Sequence, residues 1–332
     1  MAVSIKEVAR RAGVSLGTVS NVLNRPDQVS EATRERVRRA IAETGYVRND
    51  SARQLREGSS RTLAMVVLDM ANPFFTDVAH GAEQEAARHD AMLVMCNSGD
   101  DPRREERHLE QIAQQRMRGV LITPADGDGE QALRTLSAQG VPAVLVDRHS
   151  DRPDRCSVSV DDVLGGRLAA EHLLAAGHTR IGFVGGPAAV PQVRERRRGA
   201  AETIAAAAAR LYDIPTPALT FEAGRDAAAT LLDDPDRPTA LFCANDLLAL
   251  GVLQTLTLRG LAVPGDMAVI GYDDIDFAAA AAVPLSSIRQ PREELGRTAA
   301  RLLLEEAAGD GTHRHQHVVF MPELIARRST TA

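Results

Sequence analysis

The sequence predicts two parts of different fold class: an N-terminal all-α helix-turn-helix headpiece, followed by an α/β domain of two doubly wound subdomains. Three observations predict it. Capped, helix-periodic segments fill the stretch up to Gly45, short apolar runs alternate with amphipathic stretches from Arg61 onward, and charge is unevenly divided. Residues 1 to 61 hold 12 Lys+Arg against 7 Asp+Glu, leaving 27 against 38 for the remainder, so a chain of net charge -6 carries a basic head on an acidic body. A basic head suits a polyanionic partner, because neutralising phosphates releases condensed counterions. A merely solvated helical face has the same composition, so charge alone does not decide.

Ser4-Ile5-Lys6-Glu7 reads as a capping box, opening a helix that runs to about Ala12. Gly13 is the residue best able to take a left-handed turn, and Ser15 can cap a second helix through Thr18, Val19, Ser20, Val22 and Leu23. Val8, Ala9, Val14, Val19 and Leu23 form the expected miniature core. A third helix, roughly Glu31 to Thr44, adds Val37, Ala40 and Ile41 and ends at Gly45.

The remaining residues read as buried parallel strands at Leu63 to Leu68, Met92 to Cys96, Val120 to Thr123, Ala143 to Asp147, Ile181 to Val184, Ala240 to Cys243 and Ala268 to Tyr272, with helices between them. The Ala205 to Ala209 run reads as plain helix. Ligands of such sheets collect at the carboxyl ends of the strands. Cys96, Cys156 and Cys243 are odd in number and widely spaced, which fits buried thiols in a reducing cytoplasm better than disulfides or a zinc cluster. No apolar stretch reaches signal-peptide or membrane-span length, so neither export nor a membrane partner is expected. Gly182-Phe183-Val184-Gly185-Gly186 is an incomplete dinucleotide fingerprint, no phosphate loop is present, and no catalytic triad or metal set has a recognisable spacing. Neither an enzyme nor a cofactor or metal site is expected.

Ile5-Lys6-Glu7-Val8-Ala9, Ala12-Gly13-Val14-Ser15, Thr18-Val19-Ser20, Val22-Leu23-Asn24 and Gly45-Tyr46 together resemble the headpiece of the LacI/GalR family of bacterial transcriptional regulators. The resemblance implies sequence-specific DNA binding, with the second helix in the major groove. Leu16, Gly17 and Asn21 would read base edges, while Ser15, Thr18, Ser20, Asn24 and Tyr46 would lie against the backbone and set register. Asn49-Asp50-Ser51-Ala52-Arg53-Gln54-Leu55 resembles the family's hinge, in which Asn49, Ala52 and Leu55 would meet DNA and Leu55 would wedge into the minor groove. Arg48 stands where the family usually has proline. A homodimer on double-stranded, pseudo-palindromic operator DNA is implied, in the cytoplasm at the nucleoid.

The longer part resembles the family's periplasmic-binding-protein-like effector domain. The implied organisation is a headpiece over 1–48, a hinge over 49–60 and an effector domain over 61–332. Its first subdomain would take about 61–160 and 291–320, and its second 161–290 and 321–332. The family's effector contacts fall on Phe74, Phe75, Asp100, Arg148, Arg196, Asn245 and Asp273, most of them at or just after strand ends, with Arg196 three residues before Gly199. Carboxylates accept from adjacent hydroxyls, arginines donate in a fixed fork and an aromatic face covers a sugar ring, so a small sugar is the expected effector. A nucleobase or a protein coeffector is the alternative within the same architecture. Phe221 corresponds to the family's stacking phenylalanine only loosely, because the 211–231 region is several residues short.

Overall fold

The computed structural model describes residues 3–46, 60–125, 129–309 and 311–331. Arg48 and the expected hinge contacts Asn49, Ala52 and Leu55 lie outside the described residues. The chain divides into two units, Met1–Ser60 and Arg61–Ala332.

In the first unit, helices α1 (Ile5–Ala12), α2 (Leu16–Asn24) and α3 (Glu31–Thr44) follow in order, with a short 3-10 turn at Pro26–Gln28. Gly13 and Gly45 take φ of 63° and 64°, ending α1 and α3 in the left-handed conformation that a side chain would strain. Ser15 caps α2 by accepting the Thr18 N–H at 3.1 Å. The capping box at Ser4 does not form: its side chain makes no cap bond, and Glu7 is drawn instead into an ion pair with Arg10 one turn on. Val8, Ala9, Ala12, Val19, Val22, Val37 and Ala40 are the buried core. Val14 and Leu23, expected inside it, pack against its edge.

The second unit holds two six-stranded sheets. One contains β1 (Thr62–Val67), β2 (Met92–Asn97), β3 (Gly119–Ile122), β4 (Ala143–Val146), β5 (Cys156–Val160) and β11 (His317–Phe320), ordered β11-β5-β4-β3-β1-β2 with every pairing parallel. The other contains β6 (Arg180–Gly185), β7 (Arg210–Pro215), β8 (Ala240–Cys243), β9 (Ala268–Asp273), β10 (Ser286–Arg289) and β12 (Glu323–Ile325), ordered β12-β10-β9-β8-β6-β7. All its pairings are parallel except the antiparallel β10–β12 edge. The chain therefore passes between the sheets after Val160, after Arg289 and between Phe320 and Glu323. Around them run α4 (Pro73–Arg88), α5 (Pro102–Gln114), α6 (Glu130–Ala138), α7 (Asp162–Ala175), α8 (Pro191–Ala206), α9 (Phe221–Leu231), α10 (Asp246–Leu258), α11 (Asp276–Ala280) and α12 (Arg292–Ala307). Among the described residues, no helix is long and apolar enough to cross a membrane.

Parallel strands covered on both faces need apolar residues, which is why β3, β4 and β8, β1 after Thr62 and β9 up to Asp273 are apolar runs with almost every residue buried. The alanine run does not continue as helix. Helix α8 ends at Ala206 and Ala208 turns to φ 54°, so that Arg210 can donate to Thr179 O at 2.8 Å and start β7 beside β6.

Helices α7 and α8 meet backbone to backbone. A Cβ on Gly166 would stand 1.9 Å from Arg196 O, and one on Gly199 would stand 1.9 Å from Val163 O. Because this contact also sets the height of Arg196 on α8, Gly199→Val is expected to lower unfolding stability by ~1–3 kcal/mol or more through overpacking. Equilibrium urea unfolding checks it; an unchanged midpoint would mean that the helices separate without penalty.

Candidate effector site and nucleic-acid interface

In the headpiece, α2 presents its N-terminal face to solvent. Leu16 is 44% exposed, a large apolar side chain with no partner in the core. Gly17, Asn21 and Asn24 are exposed beside it, Thr18 and Ser20 are half-buried, and Tyr46 packs against the edge of the core. Several polar groups are already engaged locally. Ser15 Oγ lies 2.9 Å from Thr18 Oγ1, and Asn24 Nδ2 donates to Ser20 O at 2.8 Å and Ser20 Oγ at 3.1 Å. The exposed Leu16 and Asn21 side chains make no such local bond among the described residues. Arg10, Arg11 and Arg34 pair with Glu7, Glu43 and Glu31, whereas Lys6, Arg25, Arg36 and Arg39 make no ion pair among the described residues.

In the second unit, the carboxyl ends of the two sheets enclose a cavity of about 350 Å³. Six of the seven residues expected to contact effector line it: Phe74, Phe75, Asp100, Arg196, Asn245 and Asp273. Local chemistry explains how each arrives. Asn72 caps α4 by accepting the Phe74 N–H at 3.0 Å, and Pro73 occupies the first turn, where its missing N–H is not needed. The start of α4 is thereby fixed, with the Phe74 and Phe75 rings edge to face at 5.1 Å. Asp100 follows β2 at φ 57° and is exposed. Asn245 caps α10 by accepting the Leu248 N–H at 3.0 Å, and its amide donates to Leu219 O at 3.0 Å.

Arg196 is the electrostatic centre. Its Nε donates to Asp162 Oδ1 at 2.7 Å, one terminal nitrogen donates to Ala244 O at 2.7 Å and lies 3.9 Å from Asp273, and the guanidinium stacks 3.7 Å above the Tyr272 ring. Burial alone would lower its pKa, but Asp162, Tyr272 and Asp273 outweigh burial and raise it. Asp273 accepts from Gln290 Nε2 at 2.7 Å; burial pushes its carboxyl up to about 6 against the pull of Arg196. Asp147 accepts from Gln192 Nε2 at 2.7 Å with one oxygen, while the other is buried without a hydrogen bond. Burial and the nearby Asp162 charge push it up to about 7.

A model for the lacI family of bacterial regulatory proteins matches residues 4–49, and one for a periplasmic binding protein-like domain matches 170–330. The HTH-type transcriptional repressor PurR of Aliivibrio fischeri (strain MJ11) is 36% identical over 98% of both chains. The chain belongs to the LacI family. It is a DNA-binding transcriptional repressor of that family, not an enzyme. A Lac repressor dimer bound to operator and the anti-inducer ONPF superposes with a TM-score of 0.87 at 28% identity over the full length of both chains. A transcriptional regulator CelR–cellobiose complex superposes at 0.71 and 34% identity, covering 98% of this chain and 99% of that one.

Within this LacI-family fold, Arg148 falls behind the cavity rather than on it. It lines an adjoining cavity of about 480 Å³ and donates to Gln192 Oε1 and Pro124 O, each at 2.9 Å. Gln192 links the two cavities and is the main residue that sequence reasoning missed. Its signal was available, since it stands one helical turn before Arg196 on the same face of α8. Gln290 and Asp147 were missed as well. Phe221 opens α9 outside the cavity, whose wall there is Pro217 to Thr220.

Asp147 and Asp273 give the repressor a pH signature. Their folded pKa values, about 7 and about 6, exceed the ordinary 3.8, so the folded state holds these protons more tightly than the unfolded one. The resulting stability is complete below the unfolded value and is lost as pH rises through about 7. Asp147→Asn should therefore flatten the fall in urea midpoint over that window; curves parallel to wild type would show that Asp147 does not hold its proton.

Proposed function

We propose that this repressor works as a homodimer on a pseudo-palindromic operator, read by Leu16 and Asn21 of α2, and that a small polyol, a monosaccharide-sized sugar, controls it from the effector cavity. The observation that carries the reading is the gathering of Phe74, Phe75, Asp100, Arg196, Asn245 and Asp273 around one cavity between the two sheets. Its volume lies at the low end of the ~300–1,000 Å³ usual for small-molecule sites. Among the described residues its aromatic rings come from α4 alone; Leu68, Pro187, Val190, Pro217 and Leu219 add further apolar wall, and carboxylates, amides and a guanidinium supply the polar groups. That distribution favours a hydroxyl-rich ring with one apolar face over a flat base stacked on both sides. The cellobiose bound to CelR supports the same ligand class.

Arg148 is then a positioning residue, holding Gln192 against Asp147. Leu55, outside the described residues, would wedge into the operator's minor groove. Effector would act by changing the separation of the two hinge segments, shifting a population between two states.

The test is a thermal-shift panel of pentoses, hexoses, cellobiose and purine bases on the full-length protein. At least one sugar should raise the melting temperature, because a ligand specific to the folded state stabilises it, and Asp273→Asn should remove that shift. A shift given by a purine base and by no sugar would overturn the ligand class.

A further inference from the structure

Away from the effector cavity, a cluster of metal-ligating side chains has no part in the reading above. Cys156 opens β5, Glu306 lies in the last turn of α12, and His313 and His315 stand on the segment leading into β11. Cys156 Sγ lies 3.3 Å from His313 Nε2 and 3.7 Å from His315 Nδ1, and His313 Nε2 lies 4.0 Å from Glu306 Oε2. All four donor atoms fall within 4.8 Å of one another. Glu306 Oε2 is buried with no hydrogen bond, a position that penalises a carboxylate unless a cation meets it. Cys156 Sγ also accepts the Gln316 N–H at 3.4 Å, the kind of outer contact that supports a metal-bound thiolate.

We propose that Cys156, Glu306, His313 and His315 bind one zinc-class divalent ion that clips the segment before β11 to β5 and α12. One sulfur, two imidazole nitrogens and one carboxylate oxygen make a tetrahedral set for a borderline-soft cation, whereas calcium and magnesium prefer all-oxygen sets. Zinc bonds of ~2.0–2.3 Å hold tetrahedral donors roughly 3.3–3.7 Å apart, so the sulfur–imidazole distances already fit, while the carboxylate, 4.0 Å from His313 Nε2, must close. On binding, the thiol proton leaves to solvent as the sulfur–metal bond forms. One thiolate and one carboxylate then neutralise a divalent ion in a half-buried place. His317 is not a member, because its Nδ1 lies 2.9 Å from Ser157 Oγ. The wide sequence separation of Cys156 from the two histidines hid the cluster and suggested an inert buried thiol. The clip would fix β11, the edge strand that leads into the last crossing between sheets.

The test uses full-length protein stripped by chelator, reloaded with zinc and desalted before metal analysis, with cobalt(II) loaded in parallel. Wild type should retain one zinc per chain. Its cobalt form should show the intense visible bands of a tetrahedral centre and a thiolate-to-cobalt charge-transfer band. His315→Ala, at an exposed position where folding is checked by circular dichroism, and Cys156→Ser should lose both the retained zinc and the charge-transfer band, while Cys96→Ser keeps them. Wild type that retains no zinc, zinc retention unchanged in both His315→Ala and Cys156→Ser, or a cobalt spectrum without charge transfer would each overturn the site.

Discussion

Arg196→Met is expected to lower unfolding stability by about 3–5 kcal/mol and to abolish the response to effector. Methionine keeps an apolar stem but removes every charged contact. Asp162, 5% exposed at its side chain, would lose its 2.7 Å guanidinium partner and become an uncompensated buried charge. Ala244 O would lose its donor, and Tyr272 the cation stacked on its ring. Adding Asp162→Asn to the Met variant should recover a large part of the lost stability, because the penalty comes mainly from the stranded carboxylate. Urea unfolding of the two single variants and the double variant measures this coupling. A loss below ~1 kcal/mol for Arg196→Met would mean that the buried ion pair is not what holds α7 and α8 around the cavity.

Asn21→Ala is expected to weaken operator binding roughly 5- to 150-fold, the range for one good base-edge contact of ~1–3 kcal/mol, while leaving melting temperature unchanged. Asn21 is exposed one turn after Gly17, which has no side chain to obstruct approach to a groove. The amide carries no charge, so the salt dependence of binding should keep its slope. Leu16→Ala should reduce affinity less and act only at operator positions carrying a thymine methyl. Fluorescence anisotropy against a selected operator and a scrambled duplex separates the cases. Equal losses on both would assign Asn21 to the backbone; no loss on either would remove it from the interface.

The headpiece was legible because its determinants are local. Gly13 and Gly45 need only a left-handed φ, and the core positions recur at helical spacing. The central strands were legible because a buried parallel strand has nowhere to place a polar residue. Other strands broke that rule for specific reasons. In β5 and β10, Ser157, Ser159, Ser286 and Ser287 are buried. Ser286 is satisfied by Arg327 and Ser329, and Ser287 by Asp246 and Asp274, partners 41, 43, 41 and 13 residues away. Those bonds exist only once the chain has folded. Edge strand β7, with exposed Arg210, Asp213 and Pro215, lacks an apolar run altogether.

Most of the cavity-lining residues were legible because they follow apolar strands, whereas Arg196, inside α8, was legible only from the family resemblance. Gln290 was not, because it belongs to a crossing whose partner, Asp273, is 17 residues earlier. Arg148 shows the limit of reading by position. It follows β4 as expected, yet its guanidinium reaches Pro124 O and Gln192 rather than the cavity.

Occupancy of the effector cavity is proposed to set the grip of the headpiece on DNA. The most direct test measures both affinities of one protein: operator affinity with and without a saturating sugar from the thermal-shift panel, and sugar affinity with and without operator. The sugar should change operator affinity by a factor that operator returns equally to the sugar, as linkage requires, and Asp273→Asn should remove the effect while operator binding persists. A sugar that saturates the protein and leaves operator affinity unchanged would contradict it.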